Sequence, residues 1–294
     1  MSHITHLRSI AISAKDPRSL LPFYEDTWGL QQVGSTPEGG LLLRANGQEH
    51  HVLELAPGGG HSLEKICLGA NDAAAVDALA AVLRKNSVGI LAGPGPRDDS
   101  AGGYGVSFRD PQGRLLEVSA ELRQHDVVNR GYGPDRLSHI VLNSVDVPTS
   151  RAFYTDVLGF QVSDTYENDV MVFLRCNEMH HCIVLTPAQW TSLNHVAFEV
   201  ESGDEVMKSL GRMRKAGFDT IWGPGRHGPG GNVFCYFTDP VGNVIEYTAE
   251  LLQVDDSWEA QVWQRTPENA DVWGTSGGIT PEVIAAMANP PRES

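Results

Sequence analysis

Alternation of apolar and polar positions predicts strands at SHIVLNSV (138–145), LNHVAFEV (193–200), FCYFTD (234–239) and NVIEYTAE (243–250). Shorter apolar runs, VMVFLRC (170–176) and HHCIVL (180–185), read the same way. The spacing changes to that of a helix around SRAFYTDVLG (150–159) and GDEVMKSLGRMRKAG (203–217). The first helix is announced by Asp146-Val147-Pro148-Thr149 and stopped by Gly159. The order is strand, helix, three strands, given twice, with the DPVGN turn (239–243) joining the last two strands.

The same order is written earlier in the chain. Residues 7–30 lie over residues 137–160 without a gap, at a shift of 130. Leu7, Ile10, Asp16, Phe23, Tyr24, Asp26 and Gly29 meet Leu137, Ile140, Asp146, Phe153, Tyr154, Asp156 and Gly159. His50-His51 meets His180-His181, Gly93-Pro94-Gly95 meets Gly223-Pro224-Gly225, and DPQGRLLEVSAEL (110–122) meets DPVGNVIEYTAEL (239–251) after one residue of slippage. A duplication this long predicts two tandem domains, 1–125 and 132–252, joined through the polar, Gly- and Pro-bearing NRGYGPD (129–135). The expected fold class is α+β: tandem β-α-β-β-β modules forming two curved-sheet, open-barrel domains. Residues 253–294 form an extension outside the repeat, with Trp258, Trp263 and Trp273 and a short helix at PEVIAAMA (281–288) before a Pro-rich end. The extension is expected to cap a site, to pack at a subunit interface, or simply to dock on the domain surface.

The duplication also acts as a control on chemistry. At the position of His139 the first copy has Ser9, and at that of His195 it has Lys65; at that of Glu246 it keeps Glu117. Each of the three second-copy residues falls in a strand, at separations of 56 and 51 residues. Such distances suit one ligand from each of several neighbouring strands. Two imidazoles and a carboxylate occupy one face of an octahedral metal and leave the other open, as non-haem Fe(II) oxygenases require. By ligand type alone, zinc suits the same set.

Composition narrows the setting. With 37 Asp and Glu against 22 Lys and Arg, the chain offers no basic surface for nucleic acid or anionic membranes. It carries no apolar run of membrane-spanning length and no basic-then-apolar leader, so a cytoplasmic location is expected. Its four cysteines (Cys67, Cys176, Cys182, Cys235) form no CxxC pair and read as reduced packing residues.

Residues 1 to about 252 resemble the vicinal oxygen chelate superfamily, and within it the two-domain type I extradiol ring-cleaving dioxygenases; GPGRHGPGGNVFCYFTDPVGNVIEYTAEL (223–251) carries the resemblance most specifically. The resemblance implies a metal-free N-terminal domain and a catalytic C-terminal one. It implies Fe(II), with Mn(II) as the alternative, on His139, His195 and Glu246. His181 matches the acid/base histidine, with His180 as the fallback because strand alternation turns only one of the pair to the site. Tyr236 and His227 match residues lining the site, Val106-Ser107 and Arg97 standing in the corresponding places of the first copy. Counting from the DPVGN turn also puts Tyr236 across a hairpin from Glu246. The implied partners are a catechol-type substrate and O₂, in a homo-oligomer. Two other functions stay open: a non-redox isomerase or lyase using the same metal face, and a small-molecule binding or resistance protein.

Overall fold

The computed structural model describes residues 3–290, so the last residues of the Pro-rich end lie outside the described ones. The first half builds an eight-stranded sheet from β1 (Ile4–Ala14), β2 (Gln31–Ser35), β3 (Leu41–Arg44), β4 (Leu53–Pro57), β5 (Leu63–Ala70), β6 (Ile90–Pro96), β7 (Tyr104–Arg109) and β8 (Leu115–Ala120). Their order is β2-β3-β4-β1-β5-β8-β7-β6. Helix α1 (Ala73–Lys85) follows β5, and a 3₁₀ turn (Pro17–Leu20) followed by a π turn (Phe23–Trp28) follows β1.

The second half repeats the plan with β9 (Arg136–Ser144), α2 (Val147–Ala152), β10 (Gln161–Tyr166), β11 (Val172–Arg175), β12 (Ile183–Pro187), β13 (Ser192–Glu199), α3 (Gly203–Lys215), β14 (Trp222–Arg226), β15 (Val233–Thr238) and β16 (Val244–Ala249). Asp146 caps α2, accepting from Thr149 N at 3.0 Å, with Pro148 in the first turn. The helix expected through Gly159 relaxes into a π turn at Phe153–Val157, as its counterpart does in the first half. Among the described residues both sheets are curved and open, not closed barrels.

The nine-stranded second sheet runs β14-β15-β16-β13-β9-β12-β11-β10-β17. Its extra member is β17 (Gln261–Trp263), a strand of the C-terminal extension that pairs in parallel with β10. The extension continues through α4 (Pro267–Ala270) to α5 (Pro281–Ala288), the helix expected there.

The two halves are tied by exchanged contacts between equivalent residues. Tyr24 donates to Asp239 Oδ2 (2.8 Å) and Tyr154 to Asp110 Oδ2 (3.4 Å). Both phenols are fully buried; the 2.8 Å bond from Tyr24 to a carboxylate contributes about 1.5–3 kcal/mol, and the longer contact from Tyr154 less. Trp28 stacks on Tyr247 with ring centroids 3.6 Å apart and accepts from its hydroxyl through the backbone carbonyl at 2.7 Å.

Candidate metal centre

Three adjacent strands of the second sheet, in the order β16-β13-β9, carry the three candidate ligands. Ala197 of β13 pairs with His139 of β9 on one side and Glu246 of β16 on the other. Partners across a ladder point to the same face, and His195, two residues before Ala197, shares it. A methyl side chain at the middle of this row leaves space above it. The ligand atoms of His139, His195 and Glu246 all lie within 4.8 Å of one another, each residue buried. His139 Nε2 and His195 Nε2 both stand 3.4 Å from Glu246 Oε2.

These atoms have the disposition a cation requires. Asn194 Oδ1 lies 2.8 Å from His195 Nδ1 and accepts its proton, which leaves the Nε2 lone pair facing inward. Asn232 Nδ2 donates to Glu246 Oε1 (3.4 Å) and Thr248 Oγ1 (2.8 Å), so Oε2 is the free oxygen. Neither His195 Nε2 nor Glu246 Oε2 has a hydrogen-bond partner although both are buried. Inward lone pairs beside a carboxylate oxygen, dry and unbonded, are repulsive until a positive ion lies among them. Burial raises the Glu246 pKa, whereas positive charge beside it, as an imidazolium at His139 or His195 supplies, outweighs burial and holds the carboxyl far below its usual range. The residues present fit a divalent metal.

Around this face lies a cavity of about 470 Å³, lined at the ligand end by His139, His195, His181, Tyr236 and His227, and further out by Val141, Phe173, Val184, Trp190 and Trp222. The extension supplies part of its wall through Arg265, Ile279, Ile284 and Met287. Of the places expected for the extension, the structure therefore shows it both docked on the second sheet and capping the cavity. The C-terminal end of α5 is held there by Trp190 Nε1 (2.6 Å) and Ser192 Oγ (3.1 Å), which both donate to Ala288 O.

Tyr236 pairs with Glu246 in the β15–β16 ladder, as counted from the turn. His227 does not sit free on a loop: its Nδ1 lies 2.8 Å from Ala270 O and its Nε2 3.0 Å from the Tyr236 hydroxyl. The carbonyl only accepts, so Nδ1 carries the proton and Nε2 accepts from the phenol. Burial keeps this ring neutral, bringing its pKa down to about 4. Burial, then the nearby Glu246 carboxylate, raises the Tyr236 phenol well above its usual value.

The His180-His181 pair departs from expectation in one respect. It does not lie on a strand with alternating faces, but in a bend between β11 and β12, where the two Nδ1 atoms approach to 2.9 Å. Gly230, at φ +77°, closes over the pair, and a Cβ there would meet His181 Cε1 at 3.0 Å. His181 faces the cavity, its ring centroid 4.5 Å from that of His139, while His180 is fully buried behind it. Burial and then the neighbouring imidazoles of His139 and His180 lower the His181 pKa well below its usual value.

In the first copy the register is the same and the chemistry is not. Cys67 pairs with Ser9 and Glu117, as Ala197 does with His139 and Glu246, and Lys65 takes the place of His195. Arg97, the counterpart of His227, forms an ion pair with Glu117, and Lys65 pairs with Glu54 at 3.5 Å. A fixed guanidinium thus balances the retained glutamate.

Sequence reasoning passed over Asn194 and Asn232, which orient the candidate ligands. The first could have been suspected from its place beside His195; the second had no signal. Asn143, Ile279, Ile284 and Met287 were missed as cavity residues because only tertiary packing brings them there.

Tandem β-α-β-β-β modules with a two-histidine, one-carboxylate cluster over three adjacent strands define an α+β class with a candidate metal site. Residues 3–118 and 136–247 each match the Glyoxalase/Bleomycin resistance protein/Dioxygenase superfamily, and the chain belongs to it. Among solved structures it is similar to the Mn(II)-bound glyoxalase from Novosphingobium aromaticivorans, at 37% identity and a TM-score of 0.89 over 100% of this chain and 96% of the other. Among curated relatives it is similar to metapyrocatechase 2 of Cupriavidus necator, at 35% identity over 53% of this chain and 56% of that protein. It also resembles biphenyl-2,3-diol 1,2-dioxygenase of Paraburkholderia xenovorans, at 29% identity over 87% and 91%. The chain thus spans about half the length of the first of these relatives and most of the second.

Proposed function

We propose that this chain opens the ring of a catechol-type vicinal diol with O₂, in extradiol fashion, at a mononuclear Fe(II) held by His139, His195 and Glu246, with Mn(II) as the alternative metal. The observation that carries the reading is the difference between the copies: both keep the glutamate, and only the second sets two imidazoles 3.4 Å from it, with His195 Nε2 and Glu246 Oε2 buried and unbonded. The names of the metapyrocatechase and the biphenyl-diol dioxygenase support the substrate class. On this reading residues 1–125 form the metal-free domain, 132–252 the catalytic one and 253–294 an extension that walls the cavity.

Held by His139, His195 and Glu246, the metal would supply Lewis-acid activation of the diol and of O₂. The chain's own residues do the rest. Val141, Phe173 and Trp222 hold the ring while the polar end fixes the diol, so the reacting groups meet in one orientation. His181, neutral through burial, accepts a diol proton and returns it as the ring opens. Tyr236, whose proton goes to His227 Nε2, presents its phenol oxygen beside Glu246 as an acceptor that orients a diol hydroxyl. The same reading takes the enzyme to be cytoplasmic and homo-oligomeric. Among the described residues no helix is long and apolar enough to cross a membrane.

Loading with Fe(II) under anaerobic conditions, then adding substituted catechols and air, tests it. One O₂ consumed per diol, with a yellow ring-opened product, is expected, and His181→Phe should keep its iron but turn over slowly. The Mn(II)-bound glyoxalase structure favours a second reading, a non-redox isomerase on the same metal face. Turnover without O₂ would select it.

A further inference from the structure

We propose that Asp164, held by the C-terminal strand β17, is a positioning residue that acts through His180 to fix the tautomer of His181 and leave its Nε2 as the proton acceptor. The inference deepens the assignment of His181 as acid/base and rests on that reading.

Asp164 lies in β10, fully buried. Two donors from β17 hold its carboxylate: Gln261 N reaches Oδ1 at 2.9 Å and Trp263 Nε1 reaches Oδ2 at 2.7 Å. The same Oδ2 stands 3.0 Å from Nε2 of His180, also fully buried. That nitrogen makes no aligned hydrogen bond, so the selection is electrostatic. A lone pair on Nε2 would lie beside a carboxylate oxygen 3.0 Å away in a dry interior, where repulsion is little screened; the proton belongs on Nε2. His180 Nδ1 then carries the lone pair. His181 Nδ1, 2.9 Å away, must donate to it, because two lone pairs at that distance repel. The lone pair of His181 is left on Nε2, on the opposite edge of a ring that lines the cavity. Phe173 (5.2 Å, edge-on) keeps the ring from turning.

The first copy separates this device from ordinary packing. It keeps the paired histidines, His50 Nδ1 to His51 Nδ1 at 3.1 Å. Gly34 stands where Asp164 stands, each just after a bulge in the corresponding strand. His50 stacks instead on His125, with centroids 5.2 Å apart, and β2 is an edge strand with no counterpart of β17. The carboxylate and the strand that holds it belong only to the metal-bearing copy.

The first test reads the tautomer directly. Imidazole ¹H–¹⁵N correlation spectra of the full-length, metal-free protein, with His181 assigned by its loss in His181→Asn, should show the proton on Nδ1. Asp164→Asn keeps the side chain's shape and should shift the Nδ1-H to Nε2-H ratio by about tenfold or more. Trp263→Phe, which deletes one donor to Asp164, should shift it less and in the same direction; this variant decides the matter should Asp164→Asn fail to fold. A proton on His181 Nε2 in the unaltered chain, or a ratio unmoved in these variants, overturns the proposal.

The second test uses the iron-loaded enzyme. Asp164→Asn should lower kcat about 10–100-fold with KM and iron content little changed, and Asp164→Glu should restore part of it. Loss of iron together with activity would assign Asp164 a structural role instead. Absence of ring cleavage in the unaltered enzyme would sink the functional reading and leave the tautomer measurement standing.

Discussion

Replacing Glu246 by glutamine keeps the side chain's shape and removes its charge, and the consequences can be followed through the site. In the metal-free protein Oε2 is buried without a hydrogen bond, 3.4 Å from two imidazole nitrogens, and Asn232 supplies a bond to Oε1 at 3.4 Å. With the facing imidazoles neutral, removing this incompletely satisfied buried charge leaves the metal-free protein no less stable. Loading reverses the ranking. A metal that binds only the folded chain at about 100 times its Kd adds about 2.7 kcal/mol. At about 3 °C per kcal/mol, the transition of the second sheet should rise by about 8 °C in the unaltered protein. With a neutral amide in place of the carboxylate the rise should shrink to about 2 °C or less. The assay is anaerobic differential scanning calorimetry with and without Fe(II), repeated with Mn(II). An equal rise in Glu246→Gln, or no rise with either metal in the unaltered protein, would refute the reasoning.

Tyr236→Phe should lower kcat about 10–100-fold while iron content holds, since it removes the phenol held at 3.0 Å by His227; steady-state O₂ uptake checks it. Arg97→Met should destabilise the first half by about 3 kcal/mol by leaving Glu117 unpaired, and adding Glu117→Gln should recover most of that, as read by urea denaturation. Metal-free protein should lose stability in mild acid. Desolvation brings His227 down to about 4 and His51 to about 3, so both stay neutral when folded yet protonate when unfolded below about 6.5. Their contribution is complete above about 6.5 and falls as pH drops through that value towards 4, by about 1 kcal/mol per pH unit for each. Denaturation midpoints that stay flat between about pH 7 and about pH 5 would contradict this.

Much of the site was legible because the chain carries its own control. Ser9 and Lys65 against His139 and His195 exposed the candidate ligands without any knowledge of their positions in space. The Tyr236–Glu246 pairing followed from counting outward from a tight turn, since strand register is local. Features set by contacts far apart in sequence stayed hidden. Asp164 meets Trp263 across 99 positions through a strand of only three residues, too short for any alternation to announce it. His180 and His181 looked like strand neighbours, yet the chain bends there, and the close Nδ1 contact depends on Gly230 folding over them. The partners of His227, Ala270 O and the Tyr236 hydroxyl, come from the extension and a neighbouring strand, and no local pattern announces them.

The central claim is tested most directly by diffraction from crystals loaded with Fe(II) under anaerobic conditions, with data collected on both sides of the iron absorption edge. One anomalous peak per chain is expected, bonded to His139 Nε2, His195 Nε2 and a Glu246 carboxylate oxygen at about 2.0–2.2 Å, with nothing near Ser9, Lys65 and Glu117. No peak among the three second-half side chains, or a metal bound elsewhere while they turn apart, would contradict the account.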